Sequence, residues 1–69
     1  MKPSMLKPGD RVRRIGSDLE LAFVKRQPRH RDQPARCTFQ CDAWRGVTPD
    51  GTVTADDADV ARHYELIAH

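Results

Sequence analysis

The sequence has few large apolar residues for its length. Hydrophobic residues make up 38% of the 69 positions, and the aromatic residues are two Phe, one Tyr and one Trp. A chain of this size buries only about 60% of its unfolded surface, so its core must be small. Such a core leaves no room for an enclosed substrate cavity, which usually measures at least about 300 Å³. We therefore expect a single domain over residues 1–69 that is not an enzyme.

The chain also lacks a disulfide framework and any long apolar run. It has two cysteines, too few for a disulfide scaffold. Residues 1–5 form a short lead-in without the apolar run of a signal peptide. No segment approaches the roughly 20 apolar residues that span a bilayer. We expect a soluble cytoplasmic protein in a reducing compartment.

Metal and cofactor motifs are weak in this sequence. Cys37 and Cys41 lie four positions apart; on a strand they share a face about 13 Å apart, too far for a disulfide. With His30 and His63 they are candidates for a zinc site, but the spacing matches no compact zinc knuckle. Neither a serine nucleophile motif nor a phosphate-binding glycine loop is present. We favour two buried thiols and expect no cofactor.

Positive and negative charges are unevenly distributed along the chain. Residues 1–49 contain eleven Lys or Arg against five acids, giving +6, whereas residues 50–69 contain one Arg against five acids, giving −4. This asymmetry favours an anionic partner for the basic part. The alternative is that the two parts attract each other within the fold. The sequence leaves both open.

The first part of the chain predicts two strands. Residues 8–10 (PGD) have turn chemistry, because proline fixes φ, glycine accepts a positive φ and aspartate can accept hydrogen bonds from backbone amides. Residues 11–15 then predict a strand in which Val12 and Ile15 share the core through a β-bulge. After a turn at residues 16–18, residues 19–26 alternate. That alternation predicts a second strand with an inward face, made of Leu19, Leu21 and Phe23.

The second half predicts two more strands and a helical turn. Residues 36–45 predict a third strand, whose inward stripe is Cys37, Phe39, Cys41 and Ala43. Asp50-Gly51 is a hairpin signal, with Val47 before it and a strand at residues 52–54 after it. Acidic residues then favour a helical start, so we expect a helical turn over residues 57–62. Residues 64–67 fit either a continued helix or a last strand.

The most basic tract is residues 25–36 (KRQPRHRDQPAR). It has five Lys or Arg and one acid, and its two prolines exclude a regular helix or a central strand. We expect a long, mobile hairpin loop, centred on residues 27–35, between the second and third strands. Guanidinium groups on such a loop can neutralise phosphates without reading sequence. The alternative is a solvated loop without a partner.

Trp44 has two possible environments at the end of the third strand. Strict alternation places it beside polar residues, where it could stack on a base or contact a cation. A single Trp at a strand end in a small domain more often folds back onto the core. We favour the core position.

The opening segment resembles a known architecture. The pattern Gly-Asp-x-Val-basic at residues 9–13, followed by a glycine turn, is similar to many SH3-like barrels, including KOW-type and Tudor-type modules. It also resembles small uncharacterised bacterial and phage proteins of the YodC type, which share a Cys-x-x-Trp (Cys41 to Trp44) and a terminal aromatic-x-Leu (Tyr64 to Leu66). This resemblance implies a mainly β protein, namely a small barrel of about five antiparallel strands with one helical turn near the C-terminus. The basic insertion at residues 27–34 departs from that family's short hairpin.

The same opening resembles the plasmid-encoded type II dihydrofolate reductases. That family builds its active site in the pore of a tetramer from a Val-Gln-Ile-Tyr segment. Residues 59–64 (DVARHY) lack this pattern, so only the barrel carries over, and an oligomeric pore enzyme is a remote third hypothesis.

These observations predict a non-catalytic binding module. The favoured partner is nucleic acid or a nucleic-acid-containing complex, and the alternative is a host protein bound by a phage or mobile-element product. The predicted contact residues are Arg11, Arg13, Lys25, Arg26, Arg29, Arg31 and Trp44.

Overall fold

A computed structural model describes residues 1–44, 46–47 and 50–68. The regular elements of these described residues are five strands, one α-helix and two 3₁₀ helices, and most of the residues in these elements lie in the strands. The strands are β1 (Arg11–Arg14), β2 (Glu20–Gln27), β3 (Arg36–Gln40), β4 (Thr52–Asp56) and β5 (Tyr64–Ala68). The α-helix, α1, is Asp57–His63, and the 3₁₀ helices are Pro3–Met5 and Asp42–Trp44. The predicted mainly β class is confirmed.

The strands form one antiparallel sheet in the order β4-β3-β2-β1-β5. The first four strands follow one another as a meander, and β5 returns to pair with the free side of β1. Within the described residues no ladder joins β4 to β5, so the sheet is open and these two strands are its edges. The helix α1 links the two edges, since it follows β4 directly and leads directly into β5.

The core lies between one face of the curved sheet and α1. Phe39 is fully buried at its centre. Its ring meets Phe23 edge-on, with ring centroids 5.9 Å apart, and stacks on Tyr64 at 5.4 Å. Edge-to-face and stacked aromatic pairs contribute beyond the area that they bury. The other buried hydrophobic residues packed in this cluster are Val12, Leu21, Cys37, Cys41, Ala55 and Val60.

The predicted turns of the first half are confirmed. The Asp10 amide donates to the Lys7 carbonyl at 3.0 Å, and the buried Asp10 carboxylate accepts the Lys7 amide at 2.9 Å. Gly9 lies at φ +93°, a conformation that favours glycine. The second turn is closed by a 2.9 Å hydrogen bond from the Ser17 amide to the Arg14 carbonyl.

Ile15 is not in the core. A register shift between Arg11 and Val12 does interrupt the pairing of β1 with β5. However, β1 ends at Arg14, and Ile15 follows it with 60% of its side chain exposed. Its amide donates to the His63 carbonyl at 2.7 Å, which fixes the backbone while the side chain faces solvent. The expected burial of both Val12 and Ile15 was therefore wrong for Ile15.

Two of the predicted strands begin or end at different residues in the structure than the sequence pattern indicated. Leu19 precedes β2 and is 41% exposed, because the turn before it carries the backbone out of the sheet. The strand β3 stops at Gln40, and a 3₁₀ helix follows in which Ala43 is exposed, so the stripe ends at Cys41. Val47 lies in a turn and is 76% exposed. Arg45, the predicted end of the third strand, lies outside the described residues.

Residues 64–67, for which the sequence allowed either a helix or a strand, belong to the strand β5. The helical turn is confirmed as α1, with Val60 fully buried. The chain leaves it at Tyr64, whose φ and ψ are extended, and β5 pairs with β1 so that Tyr64 lies opposite Arg14. The strand is favoured because β1 would otherwise be an unpaired edge beside the core.

Candidate binding site

The centre of the basic tract is a hairpin loop between β2 and β3, as expected, and an isolated β-bridge lies within it. The strand β2 continues through Gln27 and β3 begins at Arg36, which leaves residues 28–35, here called the basic hairpin, as the connection. Within it, the His30 and Gln33 backbones exchange hydrogen bonds of 2.9 and 3.2 Å. Arg31, at the tip, has a positive φ of 54°, a conformation common in tight turns.

Three of the predicted contact residues have no acidic partner among the described residues. Lys25, Arg29 and Arg31 are all exposed, and the ion pairs found among the described residues include none of them. A register shift after Phe23 places Lys25 opposite Thr38 on the outer face of the sheet. The strand β2 and the basic hairpin therefore present three cations that form no ion pair within the part of the chain that the structure describes.

Two other predicted residues are paired across the sheet. Arg11 donates from Nη1 to Glu20 Oε2 at 3.1 Å, with both side chains more than half exposed. Arg13 donates from Nε and Nη2 to Glu65 Oε1 at 2.9 and 2.6 Å. Arg13 and Glu65 are direct partners in the register of β1 and β5, and opposite charges in such positions stabilise a sheet. Both arginines have a structural partner.

Arg26 belongs to a partly buried cluster with Asp57 and Cys37. Its Nε and Nη2 both donate to Asp57 Oδ2, at 3.1 and 2.5 Å, and this hydrogen bonding raises the pKa of Arg26. The Cys37 thiol, which is fully buried, donates to Asp57 Oδ1 at 3.6 Å. Burial, followed by the nearby carboxylate, raises the pKa of Cys37 from 9.0 to about 11. Asp57 thus holds an arginine and a neutral thiol together at the start of α1.

The ion pairs show how the uneven charge is used within the fold. Among the described residues, four arginines of the basic part lie within 4.0 Å of an acid of the acidic part. The pairs are Arg13 with Glu65, Arg14 with Asp59, Arg26 with Asp57 and Arg36 with Asp56. The attraction between the two parts, which the sequence left open, is therefore present. The charge asymmetry was the signal for these acidic partners, but it did not identify which arginines they contact.

Trp44 lies in a different region from the basic hairpin. It is partly buried and packs against the core, so the favoured core position is confirmed. It also lines a pocket of about 380 Å³. The groove beside the basic hairpin, about 410 Å³, is lined by other residues, among them Arg26, Arg29 and Asp32. The structure does not bring the seven predicted residues together on one surface.

The Trp44 pocket has an apolar floor and a charged rim. Its floor and walls come from the residue before β2, from β2, β4 and β5, and from the second 3₁₀ helix; these residues are Leu19, Leu21, Trp44, Val53, Ala55 and Tyr64. At the rim, Arg14 Nη1 lies 3.6 Å from Asp59 Oδ2, and the Arg14 guanidinium lies 5.7 Å from the centre of the Tyr64 ring. No single motif in the sequence indicates this pocket, because its residues converge only through strand pairing.

The described residues form neither a metal-binding cluster nor a membrane-spanning helix. Among residues 1–44, 46–47 and 50–68 there is no group of three or more His, Cys, Asp or Glu placed to hold a metal. The predicted burial of Cys37 and Cys41 as free thiols is confirmed. No helix in the described part of the chain is long and apolar enough to cross a membrane.

The chain was also compared with known proteins. Comparisons with protein-family models, with curated proteins and with solved structures each found no match.

Proposed function

We propose that this protein is a small, non-catalytic cytoplasmic module that binds nucleic acid, or a complex containing it, through the basic hairpin and Lys25. The observation that carries the proposal is the set of three exposed cations, Lys25, Arg29 and Arg31, without an acidic partner in the described residues. Exposed cations of this kind bind the phosphates of nucleic acid, because each phosphate that they neutralise releases condensed counterions and this release favours binding.

The predicted contact residues are expected to contribute unequally to nucleic-acid binding. Arg11, Arg13 and Arg26 already donate to carboxylates, so each would have to leave or share a partner to contact a phosphate. We therefore expect the hairpin cations to dominate binding. Contacts to phosphates carry no sequence information, and binding should be independent of sequence.

The module is further proposed to be an SH3-like barrel. Support comes from the strand order, in which β1 pairs with both β2 and β5, and from α1, which joins the two edge strands. The register shift in β2 after Phe23 adds the kind of bulge that bends strands in small barrels.

A charge-removal experiment tests the proposed nucleic-acid binding. Binding of random-sequence 20-nucleotide DNA and RNA is measured by fluorescence anisotropy from about 50 to 200 mM NaCl, for the natural protein and for the triple variant K25Q/R29Q/R31Q. Each lost contact lowers the slope of log K against log salt by about 0.7 to 0.9. We expect the triple variant to bind more weakly at every salt concentration and the magnitude of its slope to fall by about 2 to 3.

A matched variant controls for net charge. K2Q/K7Q/R62Q removes the same number of exposed positive charges from positions outside the basic hairpin, and it should bind almost as well as the natural protein. Equal losses in the two triple variants would show that only overall charge matters. Undetectable binding at about 50 mM salt, where phosphate contacts are strongest, would refute nucleic-acid binding altogether.

A second candidate function is binding of a protein, and the Trp44 pocket favours it. The pocket is lined mainly by apolar side chains, including partly buried Trp44 and exposed Leu19. A pull-down that returns one stoichiometric protein after nuclease treatment would support this candidate over the first, including a host protein bound by a phage or mobile-element product.

A further inference from the structure

The Trp44 pocket has the size and lining of a site for one large side chain. Its volume of about 380 Å³ lies near the lower end of the roughly 300 to 1,000 Å³ typical of ligand sites. Leu21, Ala55 and Tyr64 are buried at its floor, while Leu19 is 41% exposed at its edge. Its lining includes β4 and the start of β5, the two edge strands of the sheet.

The rim of the pocket carries two charges with unused hydrogen-bonding capacity. The closest Arg14–Asp59 distance is 3.6 Å, and the hydrogen bonds of the described side chains include none from Arg14 or to Asp59. By contrast, Arg13 makes two hydrogen bonds to Glu65. The other neighbour of Asp59 is the His63 imidazole, at 3.8 Å. Arg14 therefore offers donors, and Asp59 offers acceptors, beside an apolar cavity.

We propose that the Trp44 pocket binds a peptide segment through one large apolar side chain. The side chain packs against Trp44, Leu21 and Tyr64. The backbone carbonyl of the same peptide residue accepts from the Arg14 guanidinium, and a backbone amide donates to the Asp59 carboxylate. A peptide group supplies both partners at once, which matches a rim of one cation and one anion.

The charge of the rim distinguishes a peptide from a nucleotide. A phosphate placed against Arg14 would also face the Asp59 carboxylate at short range, and like charges at such distances repel. The inference is independent of nucleic-acid binding by the basic hairpin, because the pocket and the hairpin groove share no lining residue.

Matched small probes test the proposal on the full chain. The ¹H–¹⁵N spectrum is recorded while N-acetyl-tryptophanamide or 3-methylindole is added; the two share the indole, but only the first has peptide groups. We expect both to shift the Trp44 indole N–H and the amides of Leu21 and Ala55. Two hydrogen bonds, each worth about 0.5 to 1.5 kcal/mol, should make the amide bind at least about fivefold more tightly. Equal affinity of the two probes would overturn the assignment of the rim.

Rim variants separate backbone recognition from packing. Arg14→Gln and Asp59→Asn should each reduce the preference for the amide over 3-methylindole while retaining indole binding. The control Arg11→Gln alters another exposed arginine of the same strand and should retain the preference. Leu19→Glu, at an exposed edge of the pocket, should weaken both probes without disturbing the fold.

If the Trp44 pocket binds a nucleotide or a second copy of the chain instead of a peptide, the spectra will differ from those expected above. Thymidine monophosphate that shifts the pocket residues more strongly than the amide probe would overturn the proposal in favour of nucleic acid. Concentration-dependent shifts of the same residues without any probe, together with a dimeric mass, would assign the pocket to a second copy of the chain. The K25Q/R29Q/R31Q variant should bind the amide probe unchanged, so that failure of one proposal does not affect the other.

Discussion

Cys37 is a buried thiol whose chemistry is set by Asp57. The side chain is fully buried, and the nearby carboxylate adds to the effect of burial, so the pKa of Cys37 rises to about 11. At neutral pH the group is a neutral thiol, whereas the thiolate is the nucleophile and the metal ligand. The residue therefore acts as a small apolar core side chain that also donates to Asp57.

The raised pKa of Cys37 predicts a loss of stability at high pH. In the unfolded chain the thiol ionises near its ordinary value of 9.0, whereas in the folded protein it ionises only near 11. Between these values the unfolded state has lost the proton that the folded state still holds, so the free energy of unfolding falls as pH rises. The shift corresponds to a loss on the order of 2 kcal/mol across this range.

Urea denaturation under reducing conditions at pH 8 to 11 measures this effect. Cys37→Ala serves as the comparison, because every other titrating group is the same in both proteins. The variant should be less stable at pH 8, since a buried group is removed, but its stability should decline less between pH 9 and 11. Parallel declines in the two proteins would contradict the assigned pKa shift.

At the scale of elements, β1 joins the last strand, β5, to the meander formed by the first four strands. It pairs with β2 on one side and β5 on the other, and Val12 at its centre is fully buried. Deleting buried methyl groups from such a position removes transfer free energy and leaves a cavity. A change in β1 should therefore affect the entire fold.

Substitution of Val12 and Ile15 tests this role of β1. Val12→Ala should lower the free energy of unfolding by about 2 kcal/mol. Ile15→Ala, at a side chain that is 60% exposed, should change it by no more than about 0.5 kcal/mol. Both values come from urea denaturation at one pH. A larger cost at Ile15 would mean that this residue, and not Val12, belongs to the core.

Much of the sheet could be predicted from alternation, but the ends of its strands could not. Leu21 and Phe23 in β2, and Cys37 and Phe39 in β3, are buried as predicted, because period two places such residues on one face. Residues next to turns were misplaced, as Leu19 shows. Alternation gives the face of a residue but not the point at which the backbone leaves the sheet.

The last strand, β5, shows a second limit of prediction from sequence patterns. Val60, Tyr64 and Ile67 fit a helical spacing, while Tyr64 and Leu66 also fit alternation, so the sequence alone permits both. Pairing with β1 decides in favour of a strand. This contact joins residues about fifty positions apart, and no local pattern contains it.

At the scale of the whole molecule, the division of charge becomes a set of contacts between the basic and acidic parts. The charge asymmetry is visible in the sequence, where it is compatible both with binding of an anionic partner and with ion pairing inside the fold. The sequence did not show which of the candidate contact residues are already paired. Arg13 and Arg26 have acidic partners, whereas Arg29 and Arg31 belong to no ion pair in the described part of the chain. The Trp44 pocket escaped prediction for the same reason, because its charged rim, Arg14 and Asp59, joins distant segments.

These contacts predict that salt destabilises the protein. Between 10 mM and 1 M NaCl the Debye length falls from about 30 to 3 Å, and exposed ion pairs contribute about 0.2 to 1 kcal/mol each. With four such pairs among the described residues, the free energy of unfolding should fall by on the order of 1 kcal/mol, measured by thermal denaturation followed by circular dichroism. The variant R14Q/R36Q, which lacks two of the pairs, should show a smaller decrease. A protein stabilised by NaCl over this range would indicate that repulsion among its Lys and Arg residues outweighs the attraction between the parts, and the internal use of the charge asymmetry would have to be abandoned.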